Sequence, residues 1–436
     1  MSVLHFTSTR QPSPFKPLNA TNGGPWHKRH AIDQWKSNFE TYKAARIPYA
    51  RNHDSAMCDV YGGPYSHDIT CIFPNFSADP DDPASYDFAC TDEAVESTLE
   101  VGTRTFFRLG QTIEHQVRKH GTLPPADFGK WAVICEHIIR HYTEGWADGL
   151  RLDMPYWEIW NEADIDPDDS PNKRTWGGTK AQFFDFYEVA AKHLKRCFPH
   201  LKIGGPALGY REDWAEDFLH EMHRRGVEID FFSWHIYTTD PRDAVRRAER
   251  IRALLDRCGY EKAESILNEW NYIRGWQEEF VPSLETIHGN KGAAFLAAVI
   301  SAMQAAPVDL LMYYDTRPSS FNGVFDFYTA RPLKGYCPML WYGGFYDMTE
   351  ELRADETPEN LYVLCGRDES GRVRCMLTYY NEDDTLPPMT VTPDFGPGGE
   401  YEICRMDAAH DGELVAVTDD PTVTLSVGSC VLIQQK

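Results

Sequence analysis

The chain has 436 residues, 42% of them hydrophobic and 25% charged, a composition that suits a folded protein with one large domain and a smaller one. Its 66 acidic against 43 basic residues leave a net charge of −23, a surface that repels phosphate backbones and anionic membranes, so neither nucleic acid nor membrane is an expected partner, whereas a neutral carbohydrate is not repelled. Eleven scattered cysteines without a C-x-x-C pair, an N-terminus without a signal-peptide pattern and the absence of any apolar run of about 18 residues lead us to expect free thiols, a cytoplasmic location and no membrane span.

In chain order, Val3–Thr7 alternates like a strand and is expected to join a β domain formed by the end of the chain. A less regular segment near Leu18–Asn22 is the first of eight candidate strands. The others are Pro48–His53, Thr103–Leu109, Tyr156–Trp160, Lys202–Gly205, Asp230–Tyr237, Glu264–Trp270 and Asp309–Tyr314. The segments between them carry helical periodicity. Trp131, Ile134, Cys135, Ile138, Ile139 and Tyr142 share one helix face. Thr179 is a candidate cap for a helix burying Phe183, Phe184, Tyr187 and Leu194, and Lys291–Gln304 is an alanine-rich third helix. Eight strand–helix units predict an α/β fold, a closed (β/α)8 TIM barrel over residues 15–345. The rival, an open doubly wound sheet, is weakened by the lack of a G-x-G-x-x-G turn. After about Thr349 short alternating strands separated by Asp-Glu-Ser-Gly and Gly-Pro-Gly-Gly turns predict a smaller antiparallel β-sandwich domain, made of residues 1–14 and 346–436.

The long loops Ser55–Phe88, Ala163–Gly178, Tyr272–His288 and Thr316–Gly335 all follow strands, and in a barrel they share the face where active sites form. They carry Tyr61, Tyr65, Phe73, Trp176, Trp276, Phe321 and Phe325, aromatic faces that either stack on sugars or pack the loops.

Two motifs carry the chemistry: Tyr156-Trp-Glu-Ile-Trp-Asn-Glu-Ala-Asp164 and Ile266-Leu-Asn-Glu-Trp-Asn271. Each sets a glutamate where an apolar strand runs into a long loop, on the fourth and seventh candidate strands, at opposite sides of one mouth. Glycoside hydrolysis needs two carboxyl groups, one to protonate the leaving oxygen and one to attack or to activate water. A charged Glu269 near Glu162 is expected to raise the proton affinity of Glu162. A lone strand-end glutamate is more often a salt-bridge partner; the pair, in Trp-Asn-Glu and Asn-Glu-Trp contexts, favours catalysis. This chemistry requires no metal and no cofactor.

With these motifs the chain resembles the clan A glycoside hydrolases, and most closely family 39, which includes β-xylosidases. Asn22-Gly-Gly-Pro25 and Arg51-Asn-His53 are further points of likeness, which extends over residues 15–345; the Ala163-Asp164 that follows Glu162 and the Tyr61-Gly-Gly-Pro loop depart from it. The resemblance implies a retaining, exo-acting β-glycosidase such as a β-xylosidase, with Glu162 as acid/base and Glu269 as nucleophile. The same machinery serves α-L-arabinofuranosidases, β-glucosidases and β-galactosidases, and a non-catalytic sugar-binding barrel is the alternative of a different class. Under this reading Arg51 donates to the nucleophile, Asn161 bonds a 2-hydroxyl, Tyr237 bonds Glu269, and His235 and His53 face the sugar. Other candidates fade. The acidic runs Asp79–Asp82 and Asp164–Asp169 lack a full calcium-loop pattern and read as solvated turns; His137 and His141 are not part of an H-E-x-x-H motif; no G-x-S-x-G occurs.

Overall fold

In the computed structural model, residues 2–9, 15–26, 37–54, 56–58, 62–113, 117, 119, 121–317, 319–396 and 398–436 are described, with 56–58 and 62–64 as backbone. Strand β1 (Ser2–Ser8) precedes the barrel. The barrel begins with β2 (Ala20–Asn22) and β3 (Tyr49–Arg51); a hairpin of β4 (Ala56–Cys58) and β5 (Gly62–Tyr65) leaves its rim. The remaining barrel strands are β6 (Arg104–Leu109), β7 (Tyr156–Ile159), β8 (Lys202–Leu208), β9 (Phe231–Thr238), β10 (Glu264–Tyr272) and β11 (Leu310–Tyr313). They close in the order β2-β3-β6-β7-β8-β9-β10-β11, each pair parallel, with Met312 of β11 opposite Ala20 of β2 at the seam. All eight candidate strands are present, and the closed parallel barrel is the predicted fold.

The helices form where the periodicity placed them. Phe128–Thr143 buries Trp131, Ile134, Cys135, Ile138, Ile139 and Tyr142. Lys180–Cys197 starts at a capping box: the Thr179 hydroxyl accepts from the Gln182 N–H while the Gln182 side chain accepts from the Thr179 N–H. Asn290–Met303, rich in alanine, is buried on nearly every side because it lies between the barrel and the second sheet.

After the barrel come β12 (Glu350–Ala354), β13 (Leu361–Arg367), β14 (Val373–Tyr379), β15 (Met389–Asp394), β16 (Tyr401–Met406), β17 (Asp411–Thr418), β18 (Val423–Leu425) and β19 (Ser429–Gln435). With β1 they make a nine-stranded sheet in the order β17-β16-β19-β14-β13-β12-β1-β15-β18. It is antiparallel except where β1 runs parallel to β15, with Ser2 opposite Val391. Ile403 on β16 and Val423 on β18, from opposite ends of that order, share one apolar core with Leu4, Leu377 and Val431, so the sheet curls over itself. Among the described residues no helix is long and apolar enough to cross a membrane.

Candidate active site

The interior is built from the inward face of each strand. Near the floor lie Ala20, Phe106, Tyr156, Phe231, Ile266, Leu310 and Met312, one apolar cluster. Two residues further along the strands come Asn22, Arg108, Glu158, Ser233 and Asn268, all buried and polar. Arg51, at the end of β3, ties this layer together. Its fully buried guanidinium donates from Nε to Glu158 Oε2 (2.7 Å), from Nη2 to Asn161 Oδ1 (2.6 Å), and from Nη1 to Asn22 Oδ1 (3.2 Å) and Glu269 Oε2 (3.3 Å). The Glu158 Oε1 accepts from Ser233 Oγ and Asn268 Nδ2, both at 2.5 Å. Glu158 was not singled out in the sequence; the available signal was a carboxylate at an inward position of a strand that is otherwise apolar. Its contacts make it the anchor of Arg51, whose shorter bonds go to Glu158 and Asn161 rather than to Glu269.

Glu162 lies three residues beyond β7, where the chain turns sharply: Trp160 (φ 71°) and Glu162 (φ 49°) occupy the left-handed region, a conformation costing of order 1–3 kcal/mol for each non-glycine residue. The turn is held by the Trp160 N–H to Leu109 O (2.8 Å), the Glu162 N–H to Ala207 O (2.9 Å) and Thr175 Oγ1 to Glu162 O (2.7 Å). Asp164 is not a solvated turn residue as expected. It is buried, and its carboxylate accepts from the backbone N–H groups of Gly209, Tyr210 and Arg211 at 2.8–3.0 Å, fastening this loop to the one after β8. Further along that run Asp166 pairs with Arg174 and Asp168 accepts from the Lys180 N–H, while Asp168 and Asp169 are exposed, as expected of a solvated turn.

Glu269 reaches the interior through a β-bulge. On β10, Leu267 pairs with Trp234 of β9, but Glu269 already pairs with His235, so Asn268 is the extra residue. Ile266 and Asn268 face inward before the bulge; Glu269 and Asn271 face inward after it, while Trp270 and Tyr272 pack outward on Phe295. The Glu269 Oε1 accepts from Tyr237 OH (2.5 Å) and its Oε2 from Arg51.

His235 bridges the two glutamates. Its Nδ1 is 2.8 Å from Glu162 Oε1 and its Nε2 is 3.7 Å from Glu269 Oε2. His235 therefore bonds Glu162 through Nδ1, while Nε2, on the Glu269 side, has no hydrogen-bond partner among the described residues. One oxygen of each glutamate and a ring nitrogen of His235 lie within 4.8 Å of one another. That spacing would also let the three groups share a cation.

The electrostatics separate the two carboxyl groups. Burial pushes Glu162 up to about 8, with the Asp164 charge adding to it and Arg51 and Arg174 opposing. The expected lever, Glu269, is not the main one: burial comes first, and Asp164 is the largest charge. Burial also leaves Glu269 above its ordinary value, with the Glu162 charge adding to it and Arg51, the Tyr237 hydroxyl and, when protonated, His235 opposing. Burial pushes His235 down to about 4, so its ring is neutral near pH 7. Glu162 thus faces a neutral imidazole while Glu269 holds a cation and a phenol. If the pair shares one proton, it sits on Glu162.

The other predicted residues are at the same mouth. Asn161 is held through Oδ1, and its Nδ2 has no partner among the described residues. His53 is buried with neither ring nitrogen hydrogen-bonded among the described residues, its Nε2 3.5 Å from Asp54 Oδ1, and burial together with Arg51 holds it well below the usual imidazole range. The loop aromatics divide. Trp276, 58% exposed, stands edge-on against Tyr237 (centroids 4.9 Å apart) with Phe321 nearby. Phe73, Trp176 and Phe325 are buried and pack on Tyr86, Trp160 and Tyr42. Tyr65, the last residue of the rim hairpin, is exposed, and Tyr61 lies outside the described residues. His137 and His141 bond to Val133 O and to Trp146 O and Asp92, away from any shared point.

The chain is similar to several known proteins. The β-xylosidase of Geobacillus stearothermophilus is 27% identical over 248 residues, 50% of this chain and 46% of that protein. A β-xylosidase of Caldicellulosiruptor saccharolyticus is 27% identical over 192 residues, 41% of this chain and 36% of that protein. The match thus spans less than half the length of these curated relatives. Among solved structures, a glucosidase from Croceicoccus marinus aligns over 100% of this chain and 99% of its own (TM-score 0.79, 24% identity), and a β-xylosidase from Caulobacter crescentus over the same shares (TM-score 0.73, 15% identity); both likenesses are of fold. The family model described as glycosyl hydrolases family 39 matches residues 25–328, a span that takes in Arg51, both glutamate motifs and the His235–Tyr237 pair, and the chain belongs to that family.

Proposed function

We propose that the protein is a retaining β-glycosidase, acting on a terminal sugar of the β-xyloside type by double displacement. The observation that carries this reading is the closeness of the two carboxyl groups: one oxygen of Glu162 and one of Glu269 lie within 4.8 Å of each other, which favours the tight pairing of retaining enzymes, roughly 5–5.5 Å, over the roughly 6.5–9.5 Å that inverting enzymes hold open for a water. Glu269 attacks the anomeric carbon, and the departing oxygen takes the proton of Glu162. The glycosyl ester neutralises Glu269, and Glu162 then removes a proton from the water that opens the ester. Asn161, fixed by Arg51, presents Nδ2 to the sugar 2-hydroxyl, a contact that strengthens in the transition state. Trp276 offers an apolar face at the outer side of the mouth for the leaving group. The ten described cysteine side chains are all free, which supports a reducing, cytoplasmic setting.

The test is a pair of variants on aryl glycosides. Glu269→Ala should abolish turnover, and azide should return a product of inverted configuration. Glu162→Ala should slow poor leaving groups most, with azide yielding a product of retained configuration. Equal losses on all leaving groups would overturn the assignment of Glu162. A panel of xylosides, glucosides, galactosides and arabinofuranosides decides the sugar, and faster turnover of any other member than of the xyloside would overturn that part.

A further inference from the structure

A second cluster of ligating side chains lies far from the mouth. His193 and Cys197 stand one turn apart near the end of the helix Lys180–Cys197, and Glu136 faces them from the neighbouring helix Phe128–Thr143. The helix ends at Cys197 just before the short connection into β8, so the cluster sits at the floor end of the barrel, opposite the active site. His193 Nε2 is 2.6 Å from Glu136 Oε2 and 3.8 Å from Cys197 Sγ, and the three ligating atoms lie within 4.8 Å of one another.

The arrangement resembles a thiol–imidazole–carboxylate relay, but it cannot work as one. A relay needs the carboxylate on one ring nitrogen and the thiol on the other. Here Glu136 and Cys197 both address Nε2, so the three groups converge on a point. We propose that Glu136, His193 and Cys197 form a binding site for a zinc-class divalent cation that joins the two helices. Zinc ligated at about 2.0–2.3 Å by oxygen, nitrogen and sulfur sets its donors roughly 3.3–3.8 Å apart, so the histidine–cysteine pair already has the spacing and the carboxylate has to draw back by under about 1 Å. A thiolate, an imidazole and one carboxylate select zinc over magnesium or calcium, which take oxygen donors. The three side chains are partly exposed, which leaves a fourth position to water.

The surroundings fit this use. Arg140 Nε donates to Glu136 Oε1 (2.8 Å), the oxygen not aimed at the cluster, and so orients the carboxylate as the outer partners of metal ligands do. Arg196 Nη2 donates to His193 Nδ1 (2.9 Å), which puts the ring proton on Nε2 in the metal-free protein. Binding therefore transfers that proton to Nδ1, turns the exposed Arg196 outward, and releases the Cys197 thiol proton to solvent.

The probe is cobalt(II), titrated into the metal-free full-length protein. We expect one equivalent to give the visible bands of a four-coordinate ion together with a thiolate-to-cobalt charge-transfer band in the near ultraviolet, displaced by zinc. Cys197→Ser should remove the charge-transfer band, and His193→Ala should weaken cobalt binding at least tenfold, with both variants keeping the wild-type far-ultraviolet circular dichroism. The active-site trio has no sulfur, so a Glu162→Gln/Glu269→Gln protein should keep the charge-transfer band unchanged. Absence of that band in the wild type, its persistence in Cys197→Ser, or its loss in the double glutamine variant would overturn the proposal.

Discussion

The floor and the mouth of the barrel use the same strands and opposite chemistry. Phe106 and Arg108 on β6, Tyr156 and Glu158 on β7, Phe231 and Ser233 on β9, and Ile266 and Asn268 on β10 are successive inward positions on the same strands. A step of two residues, about 6.6 Å at roughly 3.3 Å per residue, takes the interior from hydrocarbon to charge. The floor is held by packing, and each of its residues can be lost with a local penalty. The mouth is held by mutual satisfaction: Arg51 serves Glu158, Asn161, Asn22 and Glu269 at once, so removing one member strands several.

This contrast makes the sharpest demand on Arg51. Arg51→Met should cost about 3–5 kcal/mol in urea unfolding, because Glu158 is left as a buried charge without its cation, and it should also abolish turnover. A variant as stable as wild type would mean that the mouth is less interdependent than its geometry implies. Phe231→Ala should cost about 3–4 kcal/mol as a floor cavity while kcat stays within a few-fold of wild type. A loss of kcat comparable to that of the mouth variants would erase the distinction between the two layers. Tyr237→Phe keeps the ring and removes only the hydroxyl that donates to Glu269, so kcat should fall about 10–100-fold, from about 1.5–3 kcal/mol, with the unfolding midpoint nearly unchanged.

The effect that is smallest per step is read from pH. The folded value of Glu162, about 8, lies above the ordinary carboxyl value of 4.5, so its contribution to stability is fully present below about 4.5 and is lost as pH rises through about 8. Glu162→Gln has no such dependence. The Tm of the variant should gain on wild type by about 1–2 °C per pH unit across that window, from roughly 1.36 kcal/mol per unit against the large unfolding entropy of a chain of this length. A gap that stays flat between pH 5 and 8 would place the raised proton affinity on another group. In activity, the same value predicts that kcat declines as pH rises past about 8.

Much of this was legible in the sequence, because strand alternation and helical periodicity are local. The eight strands, the Thr179 cap and the glutamates at two strand ends all follow from windows of a dozen residues or fewer. The family resemblance supplied Arg51, Asn161, His235 and Tyr237, and the structure brings all four within reach of the glutamate pair. What was not legible depends on residues far apart in the chain. That Glu158 anchors Arg51 requires knowing that two strand faces, 107 residues apart, meet. That Asp164 is buried depends on three N–H groups some 45 residues later, and that it outweighs Glu269 as a charge acting on Glu162 follows from the same fold. The Glu136–His193–Cys197 cluster joins two helices whose sequences show no shared motif, since only its His193–Cys197 half has a regular spacing.

The extra residue at Asn268 acts as a frameshift in the strand's inside–outside code. Upstream of it the even-numbered residues of β10 read into the barrel; downstream the odd-numbered ones do. Two consecutive side chains therefore share one compartment, and the carboxylate proposed to attack the sugar is the immediate neighbour of the amide that bonds Glu158. A one-residue deletion at this point restores the simple frame: Glu269 would still read inward and Trp270 outward, and what disappears is the link to Glu158. A length change that would scramble an ordinary strand is, at this position, in phase with the barrel.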